Sequence, residues 1–295
     1  MVFLQGYGIS PTYAQKVFKT YGDESIEVIK ENPYQLARDI WGIGFKTADQ
    51  TAQKLGIKKD ADIRIDSGVE YSLNELANEG HTCFPVDKFL EKAHELLEVD
   101  SKMISDRLES IQKEERILIA PLEIEGQMTA CVWLQVFHVC EQGIGKEVKR
   151  LQKAKSDLRE VKIQNAIEYA EKNLNIQLAE NQKLAVANSL TEKVHIITGG
   201  PGTGKSTITK VILKILGELT KEILLAAPTG RAAKRMTEIT KREAKTIHSL
   251  LEFDFSINGF KKNRDNPLEC DLIIVDEASM IDTVLMYNLL KAIPD

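Results

Sequence analysis

The chain has 295 residues, of which 43% are hydrophobic and 28% are charged, and its formal net charge is −5 at pH 7. This composition is typical of a globular protein with roughly two domains and excludes a low-complexity or disordered chain. No apolar run approaches the length of a membrane span, and residues 1–10 lack the basic start and long apolar core of a signal peptide. We therefore expect a cytoplasmic protein without a membrane partner.

The cysteine pattern predicts reduced thiols. The four cysteines are scattered along the chain without a C-x-x-C pair, which is typical of structural thiols in a cytosolic protein. Two H-x-C pairs, at residues 81–83 and 138–140, match no zinc module. The sequence therefore predicts no zinc site.

Positive charge is concentrated in two segments. Residues 1–59 carry eight basic and six acidic side chains, and residues 228–264 carry nine basic and four acidic ones. Residues 60–175, in contrast, carry 15 basic and 23 acidic side chains. Because phosphate binding depends on local charge, the two basic segments can contact nucleic acid despite the negative net charge.

The first 59 residues contain a repeat at an offset of 34 positions. Its two turns are Gly8-Ile9-Ser10 and Gly42-Ile43-Gly44. Each copy predicts a helix, a tight glycine turn and a second helix, over residues 11–20 in the first copy and 46–55 in the second. Glycines let the backbone approach another chain closely, and the helix start behind them leaves N–H groups that suit a phosphate.

Two interpretations of this repeat are open. The turns could simply join helical hairpins, or they could bind the DNA backbone without reading its sequence. The tandem arrangement resembles the double helix-hairpin-helix module of DNA-binding proteins, and we favour phosphate binding by both turns. Ser10 replaces the second glycine of the first turn, so the first copy is the weaker candidate.

Residues 60–158 are predicted to be mainly helical. Two short strands, at residues 116–120 and 128–134, flank a turn at Glu125-Gly126. Helices followed by a two-stranded ribbon are compatible with a winged-helix domain that binds DNA. Because the segment is acidic, we favour a structural connector, and we place the following domain boundary near residue 158.

A phosphate-binding loop follows a predicted buried strand at residues 194–198. The loop reads Gly199-Gly200-Pro201-Gly202-Thr203-Gly204-Lys205-Ser206-Thr207. This is the G-x-x-x-x-G-K-S pattern, with a strand before it and a helix expected after it. Backbone N–H groups of the loop and Lys205 would hold the phosphates of ATP, and the Ser206 hydroxyl would ligate Mg²⁺.

Two further strands, predicted at residues 222–226 and 272–275, complete the pattern of alternating strands and helices. Such a pattern gives a parallel sheet whose ligands lie at the carboxyl ends of the strands. Asp276 and Glu277 follow the last strand, where Asp276 would hold Mg²⁺ and Glu277 would act as general base toward water. The predicted fold class is an α/β P-loop NTPase with a RecA-like sheet, preceded by mainly α helix-hairpin-helix and helical, winged-helix-like domains.

The residues after the second strand resemble a helicase family. Residues 227–235 (APTGRAAKR) resemble motif Ia of superfamily 1 helicases. Thr246-Ile247-His248 and residues 276–280 (DEASM) are similar to the RecD/TraA branch. This resemblance, together with the tandem hairpins, implies a RecD-like 5′-to-3′ DNA helicase that uses ATP and Mg²⁺.

The same resemblance implies roles for single residues. Gln182 would read the adenine of ATP, and Thr229 and Arg231 would lie near the backbone of single-stranded DNA. His248 would lie near the DNA path, with a purely structural histidine as the alternative. Lys234 and Arg235 could equally form a solvated helix face.

The family's motor has two RecA-like domains, and the chain ends before the second one. We therefore expect a fragment with three parts, at residues 1–59, 60–158 and 159–295, which binds ATP and DNA weakly and does not unwind duplex by itself. The alternatives are another P-loop DNA-dependent ATPase and a DNA-binding fragment without catalysis. The sequence identifies no protein partner.

Overall fold

The computed structural model describes residues 6–7, 9–40, 42–155 and 159–295 of the chain. These residues form two compact units, which divide between Val139 and Cys140. The predicted domain ranges, 1–59, 60–158 and 159–295, remain predictions.

The first unit is mainly helical. Its helices are α1 (Pro11–Tyr21), α2 (Ser25–Glu31), α3 (Gln35–Asp39), α4 (Phe45–Lys54), α5 (Asp62–Asn78), α6 (Val86–Leu97) and α7 (Ser101–Lys113). The second helix of each predicted hairpin is thus confirmed, as α1 and α4. Ile9 and Ile43, one from each turn, lie in one apolar cluster with Val17 of α1. The helix α4 instead contributes Phe45 and Ala48 to the large core that it shares with α5, α6 and α7.

A three-stranded antiparallel sheet completes this unit. Its strands are β1 (Cys83–Pro85), β2 (Ile117–Ile124) and β3 (Gln127–Leu134), in the order β1–β3–β2. Glu125 and Gly126 join β2 to β3 with φ angles of 52° and 82°. Two positive φ values match the right-handed twist of a two-residue hairpin, so the predicted ribbon is confirmed and extends further than predicted.

A buried ion pair connects the second hairpin to this core. Arg64 is 3% exposed and Asp49 is 8% exposed. The Arg64 Nε and Nη2 atoms lie 2.8 and 3.1 Å from the two carboxylate oxygens of Asp49. Arg64 Nη1 donates to the carbonyl oxygens of Lys59 and Leu97, and the Tyr34 hydroxyl donates to Asp49. Both charges are thus hydrogen-bonded on all sides, which is the condition under which a buried pair is tolerated.

The second unit contains the remaining elements. Its helices are α8 (Gln135–Lys153), which begins before the division, α9 (Ile163–Leu174), α10 (Glu180–Thr191), α11 (Lys205–Leu216), α12 (Gly230–Thr240), α13 (Ile247–Leu250) and α14 (Thr283–Ala292). Its strands are β4 (Ile223–Ala227), β5 (Lys245–Thr246), β6 (Phe253–Asp254), β7 (Gly259–Phe260) and β8 (Leu272–Val275).

A parallel sheet with the order β5–β4–β8 organises this unit. Side chains alternate between its two faces, as the two-residue period of a strand requires. Leu225 lies in an apolar cluster with Leu213 of α11 and Met236 of α12. The next residue, Ala226, lies in a cluster with Leu289 of α14. Helices therefore cover both faces, as in the predicted doubly covered α/β fold.

The predicted strand at residues 194–198 does not form. The segment has no strand ladder, and its Ile196 side chain is 80% exposed, whereas Ile197 packs on the cluster of α9, α10 and α11. An apolar run indicates a tendency toward burial. It does not indicate that another strand lies within hydrogen-bonding distance of its backbone. The prediction of a hydrogen-bonded strand before the phosphate loop is wrong for this structure, and the helix after the loop is confirmed.

A second buried carboxylate, Glu147 of α8, anchors this helix within the second unit. Its carboxylate accepts hydrogen bonds from Arg150, at 2.7 Å, and from Arg264. Arg150 also donates to the carbonyl oxygens of Leu290, at 3.1 Å, and Ile293, at 2.7 Å. Burial raises the pKa of Glu147, but the two guanidinium groups outweigh burial and hold the pKa below its ordinary value.

This depressed pKa predicts acid sensitivity. A carboxyl group with a lower pKa in the folded state stabilises the fold above its unfolded pKa, and the contribution is lost as pH falls through the folded pKa. The Glu147→Gln variant should therefore be less stable than the parent at pH 7, and the gap should narrow below an ordinary carboxyl pKa of about 4.5. Denaturant titrations of the parent and the variant, at pH 7 and at a pH below about 4.5, measure the difference in unfolding free energy between them. A difference that does not depend on pH would contradict this prediction.

Candidate nucleotide and nucleic-acid site

The phosphate loop has a backbone that requires glycine at two positions. Gly202 and Gly204 have φ angles of 78° and 89°, in the left-handed region that other residues avoid. Gly204 is the N-cap of α11, so the helix begins at Lys205 and places Ser206 and Thr207 in its first turn. The N–H of Thr207 already donates to the carbonyl oxygen of Gly204 at 2.9 Å, whereas the positive end of the helix lies directly behind the loop. The local geometry therefore suits an anion.

Close contacts also exclude larger side chains from the loop. A Cβ atom at Gly204 would lie 2.4 Å from Nε2 of Gln182, and one at Gly199 would lie 2.7 Å from Oγ1 of Thr203. Gln182 itself is fixed at both ends of its amide group. Its Oε1 accepts from the backbone N–H of Ala179, and its Nε2 donates to the carbonyl oxygen of Thr203, both at 3.0 Å. The structure thus brings Gln182, predicted from the family resemblance, against the loop.

Lys205 closes the loop on itself. Its ammonium group donates to the carbonyl oxygens of Gly199, at 2.6 Å, and Gly200, at 2.8 Å. The Thr203 hydroxyl donates to the same Gly200 carbonyl at 2.9 Å. These bonds are exposed, so a phosphate can replace the carbonyl oxygens as the partner of the ammonium group at little cost.

Substitutions of two loop glycines are expected to differ. At Gly204 an alanine meets both the Gln182 contact and a left-handed φ, which costs about 1–2 kcal/mol per residue. The loop conformation that binds ATP should then be less populated, and the affinity for ATP should fall by about five- to thirtyfold. At Gly200 a Cβ atom meets nothing within 4 Å, so Gly200→Ala is the matched control. Equal ATP affinities of the two variants, measured by calorimetry, would contradict the prediction.

The acidic pair lies at the carboxyl end of β8. The backbone N–H of Asp276 donates to the carbonyl oxygen of Ala226 at 3.0 Å, which continues the β4–β8 ladder by one bond. The Asp276 carboxylate accepts from the N–H of Glu277 at 3.0 Å. Glu277 has φ 53° and ψ 39°, a left-handed conformation that is strained for a glutamate. Seven other described non-glycine residues, Glu98 among them, also have a positive φ, so this conformation does not by itself distinguish Glu277, and its catalytic role remains a prediction.

Three predicted DNA-binding residues follow the neighbouring strands β4 and β5. Thr229 is the N-cap of α12, and its hydroxyl oxygen accepts from the N–H of Ala232 at 3.3 Å. Arg231 lies exposed in the first turn of α12. His248 is exposed in α13, after Thr246, whose hydroxyl caps that helix. Because β5, β4 and β8 are parallel neighbours, the segments that carry these residues and Asp276 begin at one edge of the sheet.

The sequence analysis missed an aromatic group beside His248. The ring of His248 lies 5.7 Å from that of Phe260 and 6.2 Å from that of Phe253. Phe253 and Phe260 are cross-strand partners in the β6–β7 hairpin, and Phe255 near its tip is 90% exposed. The signal was present as three phenylalanines around Asn258-Gly259, a hairpin-type turn pair. The rings of Phe253 and Phe260 are half-buried, so of the three phenylalanines Phe255 is the one exposed for stacking on an unpaired base.

The two glycine turns of the first unit differ in structure. Ser10 caps α1 with its own side chain, which accepts from the N–H of Tyr13 at 3.4 Å. Gly44 caps α4 without a side chain, and a Cβ atom there would meet nothing within 4 Å. Ile9 and Ile43 are buried, so neither isoleucine side chain is available to a ligand. Gly8, the remaining predicted DNA-binding residue of the first turn, lies outside the described residues.

The first hairpin also supports the second turn. The Tyr13 hydroxyl donates to the carbonyl oxygen of Gly42 at 2.5 Å. Gly42 has φ 96°, and a Cβ atom there would lie 3.4 Å from the same hydroxyl. The Lys16 ammonium group lies 5.5 Å from the centre of the Tyr13 ring. A cation thus lies close to the second turn, which adds to its suitability for phosphate.

Comparisons with known proteins agree with these features. A family model described as the helix-hairpin-helix (HHH) domain of the ATP-dependent RecD2 DNA helicase matches residues 1–83, and one described as an AAA domain matches residues 182–295. The ATP-dependent RecD2 DNA helicase of Deinococcus radiodurans is 29% identical over 99% of this chain and 41% of its own length. Over both of these ranges the chain is similar to the RecD-like helicases. This confirms the predicted family and fold class.

Other relatives match a smaller share of the chain. The RecBCD enzyme subunit RecD of Haemophilus influenzae is 38% identical over 38% of this chain and 21% of its own length. The ATP-dependent DNA helicase dda of Enterobacteria phage T4 is 38% identical over 40% of this chain and 29% of its own length. The chain therefore spans less than half the length of each of these relatives. Among the described helices, none is long and apolar enough to cross a bilayer.

Proposed function

We propose that this RecD-like chain binds ATP with Mg²⁺, contacts DNA and supplies one side of the ATP-hydrolysing site of a 5′-to-3′ DNA helicase. The observation that carries the proposal is one parallel sheet with a glycine-dependent phosphate loop at the head of α11 and an acidic pair directly after β8. The names of the RecD2, RecD and dda relatives support DNA as the substrate.

The loop residues would hold the nucleotide. Backbone N–H groups from Gly200 to Thr207 would surround the phosphates, with Lys205 on the β- and γ-phosphates and Gln182 toward the adenine. The close contact between Gln182 and Gly204 supports the fit, because a glycine at that point leaves room for the glutamine beside the loop. Ser206 and Asp276 would hold Mg²⁺, which when bound neutralises charge on the phosphates.

Glu277 would accept the proton of the attacking water. Its backbone is held in the left-handed region by a short helical turn, in which the N–H of Met280 donates to the Glu277 carbonyl oxygen at 3.0 Å. This fixes the direction in which the carboxylate leaves the strand end. A positioned base contributes about 10²–10⁴-fold to a hydrolysis rate.

DNA would be contacted at two places. Thr229, Arg231 and His248 follow the strands beside Asp276, so binding of single-stranded DNA there can affect the nucleotide site through one sheet edge. The turn at Gly42–Gly44 would contact a phosphate of the backbone through its N–H groups. The turn at Ser10 would contribute less, because its own hydroxyl already accepts from the helix start.

The two turns are distinguished by substitutions that each impair a helix cap. Ser10→Ala removes a side-chain cap, which costs about 1 kcal/mol of stability, and Gly44→Val puts a poor cap at an open position. We expect Gly44→Val to weaken the binding of duplex DNA by about fivefold, which corresponds to the loss of one backbone hydrogen bond. We expect Ser10→Ala to leave this binding nearly unchanged. Fluorescence anisotropy with a labelled duplex measures both. A larger loss with Ser10→Ala would reject the assignment to the second turn.

The nucleotide proposal is tested by binding of a fluorescent ATP analogue to the 295-residue chain, with and without Mg²⁺ and single-stranded DNA. The expected result is Mg²⁺-dependent binding. If the chain fails to bind the analogue under every one of these conditions, the proposed nucleotide site is overturned.

A further inference from the structure

Two of the four cysteines meet in the antiparallel sheet of the first unit. Cys83 lies in β1 and Cys131 lies in β3, and the ladder pairs Cys83 with Trp133 and Cys131 with Pro85. Directly opposed residues share a face of the sheet, as do residues two apart on one strand, so both cysteines lie on the face that carries Trp133. They are diagonal neighbours there, and the Cys83 thiol donates a hydrogen bond to the sulfur of Cys131.

This face is not the one that packs on the large helical core. Phe84 and Val132, the cross-strand pair between the two cysteines, contribute to the core of α5, α6 and α7 from the opposite face. On the cysteine face, the Trp133 ring lies 5.7 Å from the ring of His138 in the first turns of α8. The helical core therefore does not account for two thiols at these positions.

The two thiols differ in exposure. Cys131 lies in the central strand of the sheet and is fully buried, whereas Cys83, in the three-residue edge strand β1, is half-buried. Burial raises the pKa of Cys131, and the hydrogen bond from Cys83 opposes this effect. A dissolved oxidant therefore reaches Cys83 first, and Cys131 lies beside it, where a second thiol can resolve the oxidised product.

We propose that Cys83 and Cys131 form a reversible redox pair, which hydrogen peroxide oxidises to an intramolecular disulfide. The Cys83 thiolate attacks one oxygen of the peroxide and breaks the O–O bond, which leaves a sulfenic acid on Cys83 and, with one proton, releases water. The Cys131 sulfur then attacks the Cys83 sulfur, so that the S–S bond forms and the S–O bond breaks. The hydroxyl group leaves with the Cys131 proton as a second water. The two thiols together lose two electrons, and the peroxide gains them.

The disulfide would join β1 covalently to β3. Only three residue pairs connect the two strands, so β1 can adjust its position until the sulfurs reach the S–S bond length of about 2.05 Å. The bond would close a loop that contains α6, α7 and β2, and it would restrict the unfolded chain. Oxidation should therefore raise the urea concentration at the midpoint of unfolding, and dithiothreitol should reverse this change.

Peroxide treatment of the folded 295-residue chain tests the proposal. The treated chain is unfolded, its remaining thiols are alkylated with N-ethylmaleimide, and mass spectrometry locates the alkylated cysteines. The expected product is a monomer that has lost two of its four alkylation sites, those at Cys83 and Cys131, and that gives one disulfide-linked pair of peptides. Dithiothreitol should restore alkylation at all four cysteines.

Variants separate this pair from the other two cysteines. Cys140→Ala and Cys270→Ala should form the same disulfide as the parent. In Cys131→Ala, which lacks the second thiol, Cys83 should instead give a sulfenic acid that dimedone captures. Circular dichroism of each variant checks that the fold is retained. The proposal is overturned if Cys83 and Cys131 of the parent both remain open to alkylation, or if either one forms its disulfide with another cysteine or with a second chain.

Discussion

Lys205→Ala is expected to weaken the binding of Mg-ATP by about 1.5–3 kcal/mol, the usual net contribution of a hydrogen bond to a charged group. The ammonium group now donates to the carbonyl oxygens of Gly199 and Gly200, and both bonds are exposed to water. Exchange of these carbonyl oxygens for phosphate oxygens replaces neutral acceptors by charged ones, which roughly doubles the strength of each hydrogen bond. The variant loses this gain while its fold remains.

Calorimetric titration with Mg-ATP measures the loss, and thermal unfolding without nucleotide serves as the stability control. Lys210→Ala, on the same helix one turn later, is the matched variant and should bind as the parent does. If Lys205→Ala binds as tightly as Lys210→Ala, the ammonium group only closes the loop and makes no phosphate contact. If Lys205→Ala lowers the free energy of unfolding by as much as it lowers the free energy of binding, the bonds from Lys205 to Gly199 and Gly200 maintain the fold instead.

Arg64→Ala is expected to destabilise the first unit by about 3–5 kcal/mol, because it leaves the Asp49 carboxylate buried without its cation. It also leaves the carbonyl oxygens of Lys59 and Leu97 without their shared donor. The loss is a large part of the total stability of a domain, so the midpoint of denaturant unfolding should fall with it.

Two comparisons make this prediction specific. Lys59→Ala removes only the exposed Lys59–Glu98 ion pair and should leave the stability of the first unit nearly unchanged, because solvent screens such a pair. Replacing both buried charges, as Arg64→Met/Asp49→Leu, should cost less than Arg64→Ala alone, because no uncompensated charge remains in the core. A double variant that is less stable than Arg64→Ala would show that hydrogen bonds to the neighbouring groups, and not the pairing of charges, dominate the network.

The residues of the candidate nucleotide site could be named from the sequence, because they lie in short contiguous patterns. A loop that wraps phosphates needs glycines at fixed intervals before a helix, and left-handed φ angles at Gly202 and Gly204 follow from that local requirement. The acidic pair is equally local, since Asp276 and Glu277 directly follow a short apolar strand. The family could be named for the same reason, as its motifs are continuous stretches of a few residues.

Properties that depend on contacts between distant segments were not predictable in this way. The lower weight given to Gly8-Ile9-Ser10 than to Gly42-Ile43-Gly44 rested on one residue, Ser10, and only packing shows that Tyr13 reaches the second turn. Residues 194–198 have the apolar composition of a buried strand, but no strand pairs with them in the structure. Composition sets a preference for burial, and the partner is supplied by the rest of the chain.

The sequence by itself determined the family, the fold class and the residues of the phosphate loop, because each depends on the order of neighbouring residues. Only the tertiary structure decided that Arg64 pairs with Asp49, that the two glycine turns differ, and that a thiol of β1 meets a thiol of β3. Pairing, burial and exposure are relations between residues far apart in the chain. They are fixed when helices and strands pack, since packing alone determines which charges are removed from water.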